Sequence, residues 1–183
     1  MAQPASLESL SSGKRSATFE QPYEMLEACH ERVHRMLALL RRLGDHLPLH
    51  GADAQAQQAA RDIMRYFDQA APQHHKDEEL HVFPPLLAQG VPQTVDAVRR
   101  LQADHEQMES RWPAARRVLD AIAQGTLVKL TEADEAALEA FAGLYADHIV
   151  AEEQVVYPAA RAIASAQDIQ AMGQEMAQRR GVR

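Results

Sequence analysis

Four histidines recur at matched positions in the two halves of the 183-residue chain, and glutamates accompany two of them. In each half the second histidine is followed four residues later by a glutamate, Glu78 or Glu152. Residues four apart share one face of a helix, so each imidazole can lie beside its carboxylate. Imidazole and carboxylate together suit iron or manganese, and they also accept zinc. The four histidines are His30, His74, His105 and His148.

The sequence around these residues repeats. Residues 74–84 match residues 148–158 at an offset of 74, with a histidine, a Glu-Glu pair, an aromatic residue and a proline in register. Residues 28–31 match residues 103–106 at an offset of 75. The repeat indicates two helical hairpins related by a pseudo-two-fold axis. Each hairpin would bring one histidine and one His-x-x-x-Glu pair to the centre, which is enough for two cations if the glutamates bridge them.

Two further residues are candidate ligands because they follow the single histidines by four positions. His34 follows His30, and Glu109 follows His105. With both, the set holds five histidines and three glutamates, more than two bridged ions need, so one of the two would support a ligand instead of binding directly. A third carboxylate compensates metal charge better than another imidazole, which favours Glu109 over His34.

Neighbouring residues fit direct metal binding less well. Glu79 and Glu153 each follow a proposed ligand by one position, about 100° round the helix, so solvated or supporting roles are expected. No thiolate is in register with the repeat, which argues against an iron–sulfur cluster. Cys29 is expected to be a small buried residue, and a redox switch beside the site is the alternative.

The other histidines lack the repetition. His46, His50 and His75 have no histidine counterpart in the other half, so we expect ordinary surface or core positions for them. His81 is aligned with Val155, which favours a structural role for it as well.

Helix-forming residues dominate the whole chain, and almost no stretch alternates with the period of two that marks strands. An all-α protein is therefore predicted. Pro72 is expected to kink its helix without ending it, and Thr131 with Asp134 is expected to form a capping box. The predicted segments are A from Pro22 to Pro48, B after the Leu49–Ala52 connection and through Pro85, C after Pro92 and to Gly125, D from Thr131 to Pro158, and a short E from Asp168 to Arg180.

Four helices of about 25 to 30 residues with short connections predict an antiparallel up-down-up-down four-helix bundle built from two pseudo-symmetric hairpins. Segment E adds a short C-terminal helix. The predicted organisation is a flexible N-terminal tail over residues 1–21, a metal-binding domain over residues 22–160, and a helical extension over residues 161–183.

Composition excludes several classes of protein. A net charge of −7 argues against a nucleic-acid binder, which needs a concentrated basic surface. The chain has neither the apolar run of a signal peptide near its start nor the roughly 20 apolar residues that span a bilayer, so no membrane association is expected. With a single cysteine, a cytoplasmic location is expected. Nothing in the sequence identifies a protein partner.

Taken as a set, these motifs resemble the hemerythrin-like proteins of the HHE cation-binding domain family, over essentially residues 22–160. The resemblance rests on the four repeated histidines, the two glutamates, and the Phe83-Pro84 and Tyr157-Pro158 pairs that follow them. It implies a four-helix bundle around a non-haem di-iron centre, with Glu78 and Glu152 as bridging carboxylates and the four histidines as terminal ligands.

The chain departs from the better-known members of that family. Oxygen-carrying hemerythrins have His-x-x-x-His on the third helix and His-x-x-x-x-Asp on the fourth, whereas this chain has glutamate at 109 and at 152. A carboxylate in place of an imidazole should favour the oxidised metal and weaken reversible oxygen carriage. The related iron–sulfur cluster repair proteins carry an N-terminal cysteine-containing module, and residues 1–22 hold no cysteine.

The resemblance therefore implies a protein that binds or senses O₂, NO or peroxide, or that handles iron, with two iron ions per chain. A di-iron enzyme that reduces peroxide or NO is one alternative. A structural module that binds zinc or manganese is the other.

Overall fold

The computed structural model describes residues 18–127 and 129–182, and these two ranges form helices and connecting turns with no β-strand. The all-α prediction is confirmed. Of the predicted N-terminal tail, residues 1–17 lie outside the described residues. The helices are α1 (Pro22–His50), α2 (Ala54–Arg65), α3 (Ala71–Asp77), α4 (Phe83–Gln89), α5 (Pro92–Ala123), α6 (Glu132–Ala142), α7 (Tyr145–Ala151), α8 (Tyr157–Ile163) and α9 (Ala166–Arg179).

Helix α1 continues past Pro48, so the prediction that this proline ends segment A is wrong. Near a helix end a proline removes one hydrogen bond, and the last turn can tolerate that loss. The helix ends at Gly51, which adopts a φ of 66° and donates its N–H to the carbonyl of Leu47 at 2.9 Å. A positive φ is accessible to glycine because it has no Cβ.

The other helix ends follow local sequence signals. The capping box predicted at Thr131 and Asp134 is present at the start of α6, and Ser165 with Asp168 forms a second one at the start of α9. Gly125, with a φ of 68°, follows the end of α5 as predicted. Segment D is interrupted at residues 143–144 between α6 and α7, because Gly143 is a poor helix former at this point.

Three π-turns, at Tyr66–Ala70, Glu78–Val82 and Glu152–Val156, join α2 to α3, α3 to α4 and α7 to α8 without a break. Each turn closes with a hydrogen bond to the carbonyl five residues earlier, as from Phe83 to Glu78 and from Tyr157 to Glu152. Each lies just before a proline. A proline lacks the N–H of a regular α-turn, and its ring crowds the carbonyl four residues earlier, so a widened turn relieves the conflict. Segment B accordingly continues through Pro72.

The apolar interior is divided into two clusters. The larger apolar cluster contains Phe67, Met108 and Phe141 among its buried residues, and the smaller apolar cluster contains Phe83 and Tyr157. Along the chain each of the four repeated histidines lies at, or within three residues of, the change from a stretch of one cluster to a stretch of the other. A polar layer therefore interrupts the core.

Helix α9 packs on the smaller apolar cluster through Met172 and Met176. The backbone of Phe19, which precedes α1, passes so close to Gly173 that a Cβ there would lie 1.8 Å from the Phe19 carbonyl oxygen. The C-terminal helix is thus packed against the rest of the described chain and holds the entry to α1. No helix in the described ranges has the length and apolarity to cross a membrane.

Candidate metal centre

The structure brings the four repeated histidines and the two glutamates to one place inside the protein. Glu78 and Glu152 are fully buried at 0% exposure, although carboxylates rarely leave solvent without a charged partner. Each of these glutamates is the first residue of a π-turn. All four histidines are buried as well: His30, His74, His105 and His148.

Each glutamate lies between histidines of the two halves. One oxygen of Glu152 is 3.0 Å from Nε2 of His30, and the other is 3.0 Å from Nε2 of His148. Glu78 is placed in the same way, with its oxygens 3.5 Å from Nε2 of His74 and 3.4 Å from Nε2 of His105. Each carboxylate therefore contacts one histidine from each half of the chain, as a ligand that bridges two ions would.

The donor atoms form two groups that are compact enough for an ion each. His30, His74, Glu78 and Glu152 offer ligand atoms that all lie within 4.8 Å of one another, and the Nε2 atoms of His30 and His74 are 3.1 Å apart. The second group, with the same 4.8 Å limit, consists of His75, His105 and His148.

Carboxylates outside the cluster orient the imidazole rings. The Nδ1–H of His30 donates to Glu153 at 2.9 Å, and that of His105 donates to Glu79 at 3.0 Å. A hydrogen bond at Nδ1 fixes the tautomer that leaves Nε2 free to bind a metal. The supporting role expected for the second glutamate of each Glu-Glu pair thus fits the geometry.

Unpaired buried polar atoms in the cluster fit a site that binds a cation. Within the described residues, both oxygens of Glu152, Oε2 of Glu78, and the Nε2 atoms of His105 and His148 are buried without a hydrogen-bond partner. Such atoms normally find a partner, because an unsatisfied buried polar group costs about 1–3 kcal/mol. Metal ions would satisfy all of them at once.

Proton affinities in the metal-free cluster are strongly shifted. Burial, followed by the charge of Glu152, raises the pKa of Glu78 above its usual value. Burial opposes protonation of His30, but the nearby Glu152 carboxylate, 3.0 Å from Nε2, outweighs it and raises the pKa of His30 to about 9. In the same way, Glu78 and Glu79 outweigh burial and raise the pKa of His105 to about 9. Without an ion, protons must compensate the buried carboxylates.

Two of the eight candidate ligands do not join the cluster. His34 and Glu109 are exposed, whereas the histidines one turn before them, His30 and His105, point into the core. His34 and Glu109 each lie one helical turn beyond the buried histidine, at positions where the helix is exposed to solvent. The ligand set that the structure assembles is therefore narrower than the sequence pattern suggested.

Sequence reasoning missed two residues at the site. Tyr157 is buried, with its hydroxyl donating to Glu78 and lying 3.2 Å from Nε2 of His30. The repeat marks Tyr157 only as an aromatic residue, although its hydroxyl distinguishes it from Phe83 and is a usable signal. His75 stacks on His105 with ring centroids 4.1 Å apart, although an ordinary position was expected for it.

The remaining polar candidates lie elsewhere. His81 pairs with Glu175 of α9 at 2.7 Å, and His46 contacts Asp53 at 3.1 Å. Cys29 is partly buried, and burial raises the pKa of its thiol. A low-pKa reactive thiolate is therefore disfavoured there.

A groove of about 670 Å³ opens beside the cluster. His75 and His105 line it on the side of the centre, and aromatic side chains form much of the remaining wall. The groove therefore gives one side of the centre contact with the surface. The aromatic residues are Phe67, Trp112, Phe141 and Tyr145.

Comparisons with known proteins agree with this geometry. A family model described as the hemerythrin HHE cation-binding domain matches residues 21–160. A protein of Haemophilus influenzae, itself described as uncharacterized, is 35% identical over 167 residues, which cover 91% of this chain and 94% of that protein. The family match spans every residue of the histidine and glutamate cluster and ends before α9.

Proposed function

Because the chain belongs to the hemerythrin HHE cation-binding domain family, we propose that its buried cluster holds two iron ions bridged by Glu78 and Glu152. One observation carries the proposal: each glutamate directs its two oxygens to histidines of different halves. Two histidines would bind each ion at its outer side. The terminal ligands are His30 and His74 for one ion, and His105 and His148 for the other.

The donor set fits iron and also fits the two alternative metals. Mixed imidazole and carboxylate ligation suits iron and manganese, and zinc accepts the same donors. Family membership favours iron. When bound, iron would supply redox chemistry and a coordination position for a small molecule. The protein residues would orient the ligands, neutralise the charge and exclude bulk water.

The order of the apolar clusters supports an up-down-up-down bundle around the centre. In α1 and α5, residues of the smaller apolar cluster precede the histidine and residues of the larger one follow it. The order is reversed around His74 and around His148, where Ile149 is the last residue of the larger cluster before the smaller one begins at Ala151. Alternation of this kind is expected when successive helices run in opposite directions past one polar layer.

We infer that the centre binds or senses O₂, NO or peroxide. The groove beside His75 and His105 supports this because it gives a small molecule a route from the surface to one side of the cluster. Two buried carboxylates stabilise the more highly charged, oxidised metal, so sensing or reaction is favoured over reversible oxygen carriage.

Metal content tests the proposal. Protein expressed with iron available should contain two irons per chain, whereas a His74→Ala/His148→Ala variant should lose both. A variant of the exposed His50, His50→Ala, is the matched control and should retain them. Absence of stoichiometric iron from the folded wild-type protein would overturn the proposal, and stoichiometric zinc in its place would favour the structural module.

Reactivity separates a sensor from an enzyme. Iron-loaded protein should change its optical spectrum when O₂, NO or hydrogen peroxide is added singly, and the His74→Ala/His148→Ala variant should not. Steady-state consumption of peroxide or NO above that of free iron would identify an enzyme. A spectrum unaffected by all three molecules would contradict the proposed binding.

A further inference from the structure

A separate groove of about 760 Å³ lies between α1 and α2, and no residue of the histidine and glutamate cluster belongs to its described lining. That lining carries four arginines and one aspartate, a net charge of +3, in a chain whose net charge is −7. A concentration of positive charge in a cleft of an acidic protein attracts anions. We refer to this cleft as the arginine groove, and its arginines are Arg32, Arg35, Arg42 and Arg65.

Three of the four arginines lack a counter-charge. Asp62 is paired with Arg65 at 2.8 Å, and it also accepts a hydrogen bond from Gln58 at 3.2 Å. Within residues 18–127 and 129–182, the remaining arginines of the groove form no ion pair. The positive charge of the arginine groove is therefore available to a ligand.

Arg42 lacks partners for its hydrogen-bond donors. Its Nε and Nη2 atoms are buried and have no hydrogen-bond partner in the described part of the chain, although buried donors are normally satisfied. These two atoms form the edge of the guanidinium that holds a carboxylate through two parallel hydrogen bonds. Arg42 lines both the arginine groove and a neighbouring groove between α1 and α6. A carboxylate in the arginine groove would supply the acceptors that Arg42 lacks.

The middle of the arginine groove is apolar. Arg35 and Arg42 are seven residues apart, so they share one face of α1 and lie about 10 Å apart along the helix axis. Between them the groove is lined by Met36 and Leu39, and Ala59 of α2 lines it as well. The groove thus has positive charge near both ends of an apolar floor.

We propose that the arginine groove binds an elongated organic dicarboxylate. One carboxylate binds Arg42, the other lies beside Arg32 and Arg35, and the apolar chain covers Met36 and Leu39. This binding site is separate from the proposed metal centre and does not depend on it. Because part of the attraction comes from solvent-exposed charges, the affinity should fall as the salt concentration rises.

Isothermal titration calorimetry of the full-length protein with decanedioate tests the proposal. Wild-type protein should bind one equivalent, whereas the dimethyl ester, which keeps the chain but lacks both charges, should not bind. Decanoate, with one carboxylate, should bind at least about tenfold more weakly, because hydrogen bonds between charged groups are the strong ones. No binding of decanedioate, or equal binding of the ester or of decanoate, would overturn the proposal.

Variants of Arg42 test its role in binding. Arg42→Gln should weaken decanedioate by at least about tenfold, and Arg42→Lys should also bind less tightly than wild type, since lysine keeps the charge without the two-donor edge. The matched control is Arg41→Gln, which removes the same charge from the next residue, in the lining of the neighbouring groove alone, and should bind as wild type.

Wild-type affinity in Arg42→Gln, or equal losses in Arg42→Gln and Arg41→Gln, would overturn the assignment of the ligand to the arginine groove. The iron content of each variant should equal that of the wild-type protein, because neither arginine belongs to the histidine and glutamate cluster. A failure of this proposal therefore leaves the two-ion centre standing.

Discussion

Glu153 and Glu79 act on the proposed centre through the histidines that they hold. Glu153→Ala removes the 2.9 Å hydrogen bond to Nδ1 of His30, so the ring loses its fixed orientation. We expect metal affinity to fall by about 10- to 100-fold, as measured by competition with a chelator of known affinity. Glu109→Ala is the control, and it should leave the affinity unchanged because Glu109 is exposed. Equal losses in the two variants would contradict these assignments.

Tyr157 shields the buried carboxylate of Glu78 in the metal-free protein. Tyr157→Phe removes the hydroxyl and leaves the Glu78 oxygen unsatisfied, so the metal-free protein should lose about 1–3 kcal/mol of unfolding free energy in urea. Metal-loaded protein should lose less, because the ion then satisfies the carboxylate. Tyr23→Phe, a neighbouring buried tyrosine, is the comparison. The same loss with and without metal would show that the hydroxyl does not act through Glu78.

Spacing alone was sufficient to predict six of the residues at the site. A four-residue interval on a helix fixes a shared face, so His74 with Glu78 could be placed without coordinates. The four-residue spacing does not show whether the helix is still buried one turn further on. For that reason the spacing also predicts His34 and Glu109 as ligands, although both are exposed. Tyr157 and His75 contact side chains on other helices. Such contacts depend on how the helices pack, which cannot be read from a single sequence.

At the scale of the helix, prolines position the glutamates. The π-turns that begin at Glu78 and Glu152 lie six residues before Pro84 and Pro158. The repeated proline was visible in the sequence, and so were the capping residues of α6 and α9. The π-turns themselves could not be predicted, because a proline can also kink or end a helix. Pro48 shows a third outcome, since α1 simply continues past it.

A pair of glycines tests the packing of α9. Gly173→Ala places a Cβ 1.8 Å from the Phe19 carbonyl oxygen, so we expect a loss of about 1–3 kcal/mol in unfolding free energy. Gly44→Ala, in α1, meets nothing within 4 Å and should raise stability by up to about 1 kcal/mol through helix propensity. Urea denaturation measures both. A neutral or stabilising Gly173→Ala would show that Phe19 does not cross α9 there.

At the scale of the whole molecule, α9 lies beyond the family match, yet its arginines contact the residue next to Glu78. Asp77, 1% exposed and adjacent to Glu78, accepts hydrogen bonds from Arg179 at 2.8 Å and from Arg180 at 2.6 Å. The sequence predicts a helical extension over residues 161–183 and assigns it no role. Residue patterns could place the helix but not the partners of its arginines, because nothing in the sequence marks Asp77 as buried.

The Arg179→Ala/Arg180→Ala variant should be strongly destabilised. Removal of both arginines leaves the Asp77 carboxylate buried without a counter-charge, which costs about 3–5 kcal/mol. Arg65→Ala removes a solvent-exposed pair with Asp62 and should cost less than about 1 kcal/mol. Equilibrium unfolding of the two variants gives the comparison, and similar losses would contradict a special role for the Asp77 pair.

Glu175 should make part of the stability acid-sensitive. The hydrogen bond from Arg179 lowers the pKa of Glu175 to about 2, and His81 adds to the shift. A lowered folded-state pKa stabilises the protein above the unfolded-state value near 4.5, and the contribution is lost as pH falls towards 2. Glu175→Gln should therefore be less stable than wild type at pH 7, and the difference should shrink by pH 3. A difference independent of pH would refute the linkage.

The central claim is that two ions lie in the polar layer between the apolar clusters. Anomalous diffraction at the iron absorption edge, from crystals of iron-loaded protein, tests it most directly. We predict two peaks per chain, one beside each histidine pair, with Glu78 and Glu152 each in contact with both. Folded protein with no peak in this layer, or with iron bound only elsewhere, would contradict the claim.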